Sequence, residues 1–67
     1  MISIEFNGVA SQFDEKSTVA DLLCIGKIES RFCAVELNLE IVPKEQYATR
    51  LLCDGDKVEV VTLVGGG

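Results

Sequence analysis

The chain has 67 residues, 48% of them apolar, and its 11 acidic and 6 basic side chains leave a formal net charge of −5. That length allows a single domain, which buries only roughly 60% of the surface its unfolded form exposes, and the apolar fraction argues against disorder. The acidity leaves no basic stripe for nucleic acid or for an anionic membrane surface, and makes a basic protein surface the natural complement.

Residues 2–6 alternate apolar and polar, the period of a half-buried strand. Asn7-Gly8 then suits a two-residue turn with positive φ at both positions, which pairs Phe6 with Val9, Ile4 with Ser11 and Ile2 with Phe13. Five of those six residues are apolar and share one face, so pattern and turn agree on the register. Thr18, with Asp21 three positions on, forms a variant of the capping box and starts a short helix with Val19, Leu22 and Leu23 as its buried stripe. Gly26 is expected to end that helix as its left-handed residue.

A third strand is expected over residues 33–37, with Cys33, Val35 and Leu37 on one face, and Asn38 turns the chain into a short strand at 39–42. Pro43 suits the first position of a brief helical turn from Lys44 to Tyr47. Tyr47 is expected to pack with its hydroxyl at the surface, and Lys44 and Arg50 to be solvated. Asp54-Gly55-Asp56 makes a tight turn before the last strand, Lys57 to Val64, because it lacks the spaced ligands of a calcium loop.

In that last strand Val58, Val60 and Val64 share a face with Thr62, while the opposite face opens with Lys57 and Glu59 and turns apolar at Val61 and Leu63. Two explanations stand for this two-sided apolar end. Either the strand is central and buried on both sides, or one face forms an exposed patch that docks an activating enzyme. Hairpin, helix, strand, short elements and strand, with the first and last strands adjacent and parallel, make an α+β domain. The expected fold is the ubiquitin-like β-grasp: a mixed sheet of four to five strands with one helix on one face. Residues 1–64 form its body and 65–67 a glycine tail.

Few places remain for chemistry. Histidine is absent, and Cys24, Cys33 and Cys53 contain no C-x-x-C pair, which argues against a zinc site and against an imidazole dyad. The three thiols read as small core residues in a reducing, cytoplasmic setting. The N-terminus does not resemble a signal peptide, and no apolar run approaches the ~20 residues of a membrane span. What is left is the tail. Three glycines reach roughly 10 Å beyond the body and, lacking Cβ atoms, enter channels closed to other residues. At their end a carboxylate can be converted by ATP to an acyl-adenylate open to a sulfur nucleophile.

The chain resembles the ThiS family of sulfur carriers of thiamin biosynthesis over essentially its whole length. The likeness rests on Asn7-Gly8, on Val19-Ala-Asp-Leu-Leu23, on the run Glu36 to Tyr47 with its Val-Pro-Lys-Glu-Gln-Tyr segment, on Asp54-Gly-Asp56, and on Val64-Gly-Gly-Gly67. It implies a protein co-substrate rather than an enzyme, with no permanently bound cofactor and monomeric when free. An adenylyltransferase of the ubiquitin-activating type, using ATP and magnesium, would adenylate Gly67. Sulfur from cysteine, through a desulfurase, would give a Gly67 thiocarboxylate, and thiazole synthase would take that sulfur. Gly65, Gly66, Val64, Val61 and Leu63 would be the partner-binding residues. The diglycine end and the turn also occur in the small subunit of molybdopterin synthase and in other ubiquitin-like carriers and modifiers, the alternative reading.

Overall fold

The computed structural model describes residues 1–63. Strands β1 (Ile2–Phe6), β2 (Val9–Phe13), β3 (Cys33–Leu37), β4 (Glu40–Ile41) and β5 (Lys57–Thr62) form one sheet in the order β2-β1-β5-β3-β4. The β1–β5 pair is parallel and the others are antiparallel. Helix α1 (Val19–Ile25) and two 3₁₀ turns, Ser30–Phe32 and Lys44–Gln46, complete the domain. The buried side chains of α1 (Val19, Leu22 and Leu23) join Ile4, Val35 and Val58 from the strands in one core. Among the described residues no helix is long and apolar enough to cross a membrane.

The opening hairpin has the expected register, Ile2 opposite Phe13, Ile4 opposite Ser11 and Phe6 opposite Val9. Asn7 and Gly8 both adopt positive φ, 49° and 82°, as the turn requires. Val9 nevertheless stays 64% exposed, because it lies at the turn end of the edge strand.

Asn7 does more than turn the chain. The regular β1–β5 pairing covers only Glu5 with Lys57 and Phe6 with Val58. Beyond it, the Asn7 backbone N–H donates to Val58 O at 2.8 Å. The Asn7 side chain then takes over: Oδ1 accepts from Val60 N at 2.7 Å and Nδ2 donates to Val60 O at 3.3 Å. One amide thus meets both main-chain groups of Val60 in a partly buried setting, where unpaired groups are costly.

The start of β5 is anchored similarly. Gly55, at φ 90°, donates its N–H to Ser3 O at 2.7 Å, and Asp54 Oδ1 accepts from Ser3 N at 2.7 Å. Asp56 Oδ2 accepts from Cys53 N, while Asn38 joins Asp56 Oδ1 to Lys57 N with bonds of 3.0 and 2.9 Å. The Asp-Gly-Asp segment is a turn, with its carboxylates used to order the backbone.

Thr18 caps α1 with both halves of the box present: Oγ1 accepts from Asp21 N at 3.2 Å and Asp21 Oδ2 accepts from Thr18 N at 2.9 Å. The next free donors of the first turn find tertiary partners, Val19 N on Arg50 O and Ala20 N on Tyr47 O. The C-terminal end differs from the expectation. Gly26 has an ordinary right-handed φ of −78°, and the left-handed residue is Lys27, at φ 57°. Ile28 N donates to Leu23 O and Lys27 N to Cys24 O, the paired bonds of a Schellman motif with lysine in the place usually held by glycine. At Gly26 a Cβ would lie 3.3 Å from Ile28 Cδ1, a close approach to the end of a flexible side chain.

Three boundaries also shift. Leu37 pairs with Glu40, so Asn38 and Leu39 form a two-residue turn with φ of 52° and 72°, and the fourth strand shortens to Glu40–Ile41. Pro43 caps the 3₁₀ turn from an extended ψ of 145° instead of entering it. Strand β5 ends at Thr62; Val64 and the tail 65–67 lie outside the described residues.

Two stability measurements follow from these contacts. Asn7→Gly keeps the turn conformation but removes the side-chain amide, and should cost about 1–3 kcal/mol in urea unfolding; a variant as stable as the natural chain would show that the Val60 contacts contribute nothing. Lys27→Gly should raise stability by roughly 0.5–1 kcal/mol, since glycine occupies the left-handed region without a Cβ clash. No gain there would mean that Lys27 carries no strain.

Candidate functional site

The central strand delivers the chain to one end of the sheet, where the tail begins. Thr62 lies opposite Cys33 and Val61 opposite Ala34, and the last described residue, Leu63, donates its N–H to Phe32 O at 2.6 Å. The root of the tail is therefore held by β3 and by the 3₁₀ turn before it. The four residues beyond Leu63 span at most roughly 14 Å when extended. Gly65, Gly66, Gly67 and Val64 themselves lie outside the described residues.

The two-sided apolar end divides into one covered face and one open face. Strand β5 is central, flanked by β1 and β3, and Val58 and Val60 are buried under α1. Its other face is open: Val61 is 58% exposed and Leu63 52% exposed. The helix covers only one side of the sheet, so strand centrality in the hydrogen-bonding direction does not bury both faces. Phe32, 51% exposed, stands beside this root with the Arg31 guanidinium 5.0 Å above its ring, and Arg31 Nε meets Glu29 at 3.2 Å. Sequence reasoning missed Arg31 and Phe32, because nothing in a run of mixed polarity marks a 3₁₀ turn beside a strand end.

A groove of about 350 Å³ runs between α1 and the Lys44–Gln46 turn, lined by Ala20, Leu23, Cys24, Ile28, Lys44 and Tyr47 among others. Exposed Lys44 crosses its rim to donate to Arg31 O at 3.1 Å. Tyr47, expected to present its hydroxyl at the surface, is only 5% exposed, because the 44–52 segment folds back over the helix start. Burial raises its pKa above the ordinary 10.0, and the Cys33 thiol beside it adds to the rise. Of the cysteines only Cys33 is a core residue; Cys24 and Cys53 are exposed. Among the described residues no group of three or more His, Cys, Asp or Glu side chains is placed to hold a metal ion.

A helix on one face of a five-stranded mixed sheet, with parallel central strands and a glycine-ended chain leaving the last of them, defines a ubiquitin-like β-grasp protein. Known proteins narrow the class. The model of the ThiS family matches residues 3–67. A sulfur carrier protein ThiS of Bacillus subtilis is 43% identical over 53 residues, covering 79% of this chain and 80% of that protein. A thiazole synthase of Paramagnetospirillum magneticum is 46% identical over 66 residues, which are 98% of this chain but only 20% of that longer protein. The crystal structure of a thiamine biosynthesis protein (ThiS) from Geobacter metallireducens superposes with a TM-score of 0.83 at 33% identity, covering 98% of this chain and 100% of that one. The chain belongs to the ThiS family.

Tyr47 gives this region a pH signature. Its folded pKa lies above the unfolded 10.0, so the fold favours the neutral phenol. That contribution is complete below pH 10.0 and is lost as pH rises through the folded value. Absorbance titration of the only tyrosine should therefore show ionisation above the free value, and Tyr47→Phe should lessen the alkaline fall in the thermal midpoint. A titration at the ordinary value would refute the burial argument.

Proposed function

We propose that this chain carries sulfur for thiazole formation in thiamin biosynthesis on the carboxylate of Gly67. The observation that carries the reading is the family match, which runs through the glycine tail to residue 67. The stretch of a thiazole synthase that is 46% identical to nearly the whole chain supports that enzyme as the acceptor. The molybdopterin-synthase alternative gains no support from these relatives.

The chemistry begins with a poor electrophile. An adenylyltransferase of the ubiquitin-activating type, with ATP and magnesium, joins the Gly67 carboxylate to AMP and releases pyrophosphate. Persulfide sulfur, supplied from cysteine by a desulfurase, attacks the acyl carbon, and AMP leaves with the former carboxylate oxygen. A second thiol reduces the resulting acyl disulfide and frees the thiocarboxylate. Gly65, Gly66 and Val64 thread the enzyme's channel, while Val61 and Leu63 dock beside it. Burying those two exposed side chains on a partner is worth about 1.5–3 kcal/mol each at most, which helps offset the ordering of three glycines. No side chain of the body needs to react.

Incubation with the activating enzyme, ATP, a cysteine desulfurase and cysteine should raise the intact mass by the difference between sulfur and oxygen. Deleting Gly67, or adding one residue after it, should abolish the gain while leaving the fold intact. If the extended variant still gains sulfur, Gly67 is not the carrier. Replacing exposed Cys24 and Cys53 with serine should leave loading unchanged, and its loss would move the chemistry to a side-chain persulfide.

A further inference from the structure

The two asparagines of the chain make the same kind of turn but are followed by different residues. Asn7 and Gly8 have φ of 49° and 82°, and Asn38 and Leu39 have φ of 52° and 72°. Each side-chain amide is held at both ends. Asn7 meets Val60 N and Val60 O at 2.7 and 3.3 Å, and Asn38 meets Lys57 N and Asp56 Oδ1 at 2.9 and 3.0 Å. The difference lies one residue on. Leu39 carries a side chain that crowds its own backbone nitrogen, whereas Gly8 has none, and a Cβ built there meets nothing within 4 Å. Residues 7 and 8 are both exposed, so water reaches them.

An asparagine followed by an unhindered nitrogen is open to attack from its own main chain. The Gly8 backbone nitrogen adds to Asn7 Cγ, and the new C–N bond closes a cyclic imide. The Cγ–Nδ2 bond breaks, and Nδ2 leaves as ammonia with the proton that the Gly8 N–H gives up. Water then opens the imide at either carbonyl, leaving an aspartyl residue or an isoaspartyl one whose main chain runs through Cγ. Water is the only co-reactant. In the folded chain this ring cannot close, because Cγ has to swing to Gly8 N while both ends of the amide are bonded to Val60.

From this we infer that Asn7-Gly8 is a self-modification site gated by the β1–β5 seam. Opening of the seam frees the Asn7 amide, and ammonia is lost from the open state. Regular pairing there covers only Glu5 with Lys57 and Phe6 with Val58, so the amide's own bonds are a large part of what resists opening. The product cannot close the seam as before. A carboxylate at position 7 still accepts from Val60 N, but its second oxygen faces Val60 O, acceptor against acceptor. An isoaspartyl residue adds a main-chain carbon to the turn and puts Gly8 out of place. Each opening thus carries a chance of permanent damage, and the modified fraction records how often the seam has opened. The gate operates whether or not Gly67 carries sulfur.

The measurement is intact-mass and peptide-map analysis of the natural chain kept in mildly alkaline heavy-oxygen water, folded and in guanidinium chloride. Modification replaces the amide nitrogen at position 7 by labelled oxygen, while position 38 stays an asparagine over the same time. The folded rate should be roughly ten- to hundredfold below the denatured rate, the range set by two hydrogen bonds lost in a local opening. Gly55→Ala, strained at φ 90°, loosens the other end of the seam, where Gly55 N meets Ser3 O. It should speed the folded rate severalfold and leave the denatured rate unchanged. Asn7→Asp should melt about 4–8 °C below the natural chain. Equal rates in the folded and denatured chain refute the gate, as does an unchanged folded rate in Gly55→Ala. Equal modification at positions 7 and 38 refutes the role of Gly8. An Asn7→Asp chain as stable as the natural one refutes the failure to reclose.

Discussion

The short parallel seam between β1 and β5 is the constraint on which the rest of the molecule depends. Two regular residue pairs make a weak join for strands at opposite ends of the chain, yet this join closes the domain. The Asn7 side chain extends it by meeting both main-chain groups of Val60. A slip of one residue would turn Val58 and Val60 out of the core and Glu59 into it. The contact therefore sets which face of β5 is apolar and which residue leaves the sheet as the root of the tail. That one residue also makes the tight turn shows how little chain a small domain can spare.

From this seam the division of labour follows. The inner face of β5 is covered by α1 and stabilises the fold, and the outer face contributes little to the core. The outer face is thus free to carry exposed Val61 and the facing pair Glu36 and Glu59, residues with no evident use to an isolated domain. A carrier of this kind needs a rigid body, a reactive end and a surface by which enzymes hold it. On the proposed carrier reading all three converge on one strand, β5, which packs the core with one face, leaves the other open and leads into the tail.

Much of this was legible in the chain. The hairpin register and the helix start depend on neighbours within a few residues, and Ile2–Phe13 and Thr18–Asp21 formed as their patterns require. The misreadings were of another kind. Glycine at position 26 suggested a left-handed cap, but Gly26 keeps a right-handed φ and the left-handed position falls on Lys27. Tyr47 looked like a surface hydroxyl until the 44–52 segment folded over the helix. Cys24 and Cys53 looked like core residues and are exposed.

By itself, then, the sequence determined the opening hairpin, the start of the helix, the Asp54–Asp56 turn and the glycine tail, because each is encoded by local stereochemistry and by periods of two or about 3.6 residues. It also determined family membership, since the landmarks run from Asn7 to Gly67. The tertiary structure alone decided which apolar residues of β5 are left open and that Glu36 meets Glu59. It alone decided, too, that Asn7 completes the ladder at Val60. These depend on residues tens of positions apart being brought face to face, and no pattern along a single strand records its neighbour across the sheet. The glycine tail is written in the chain; the surface that presents it is a product of folding.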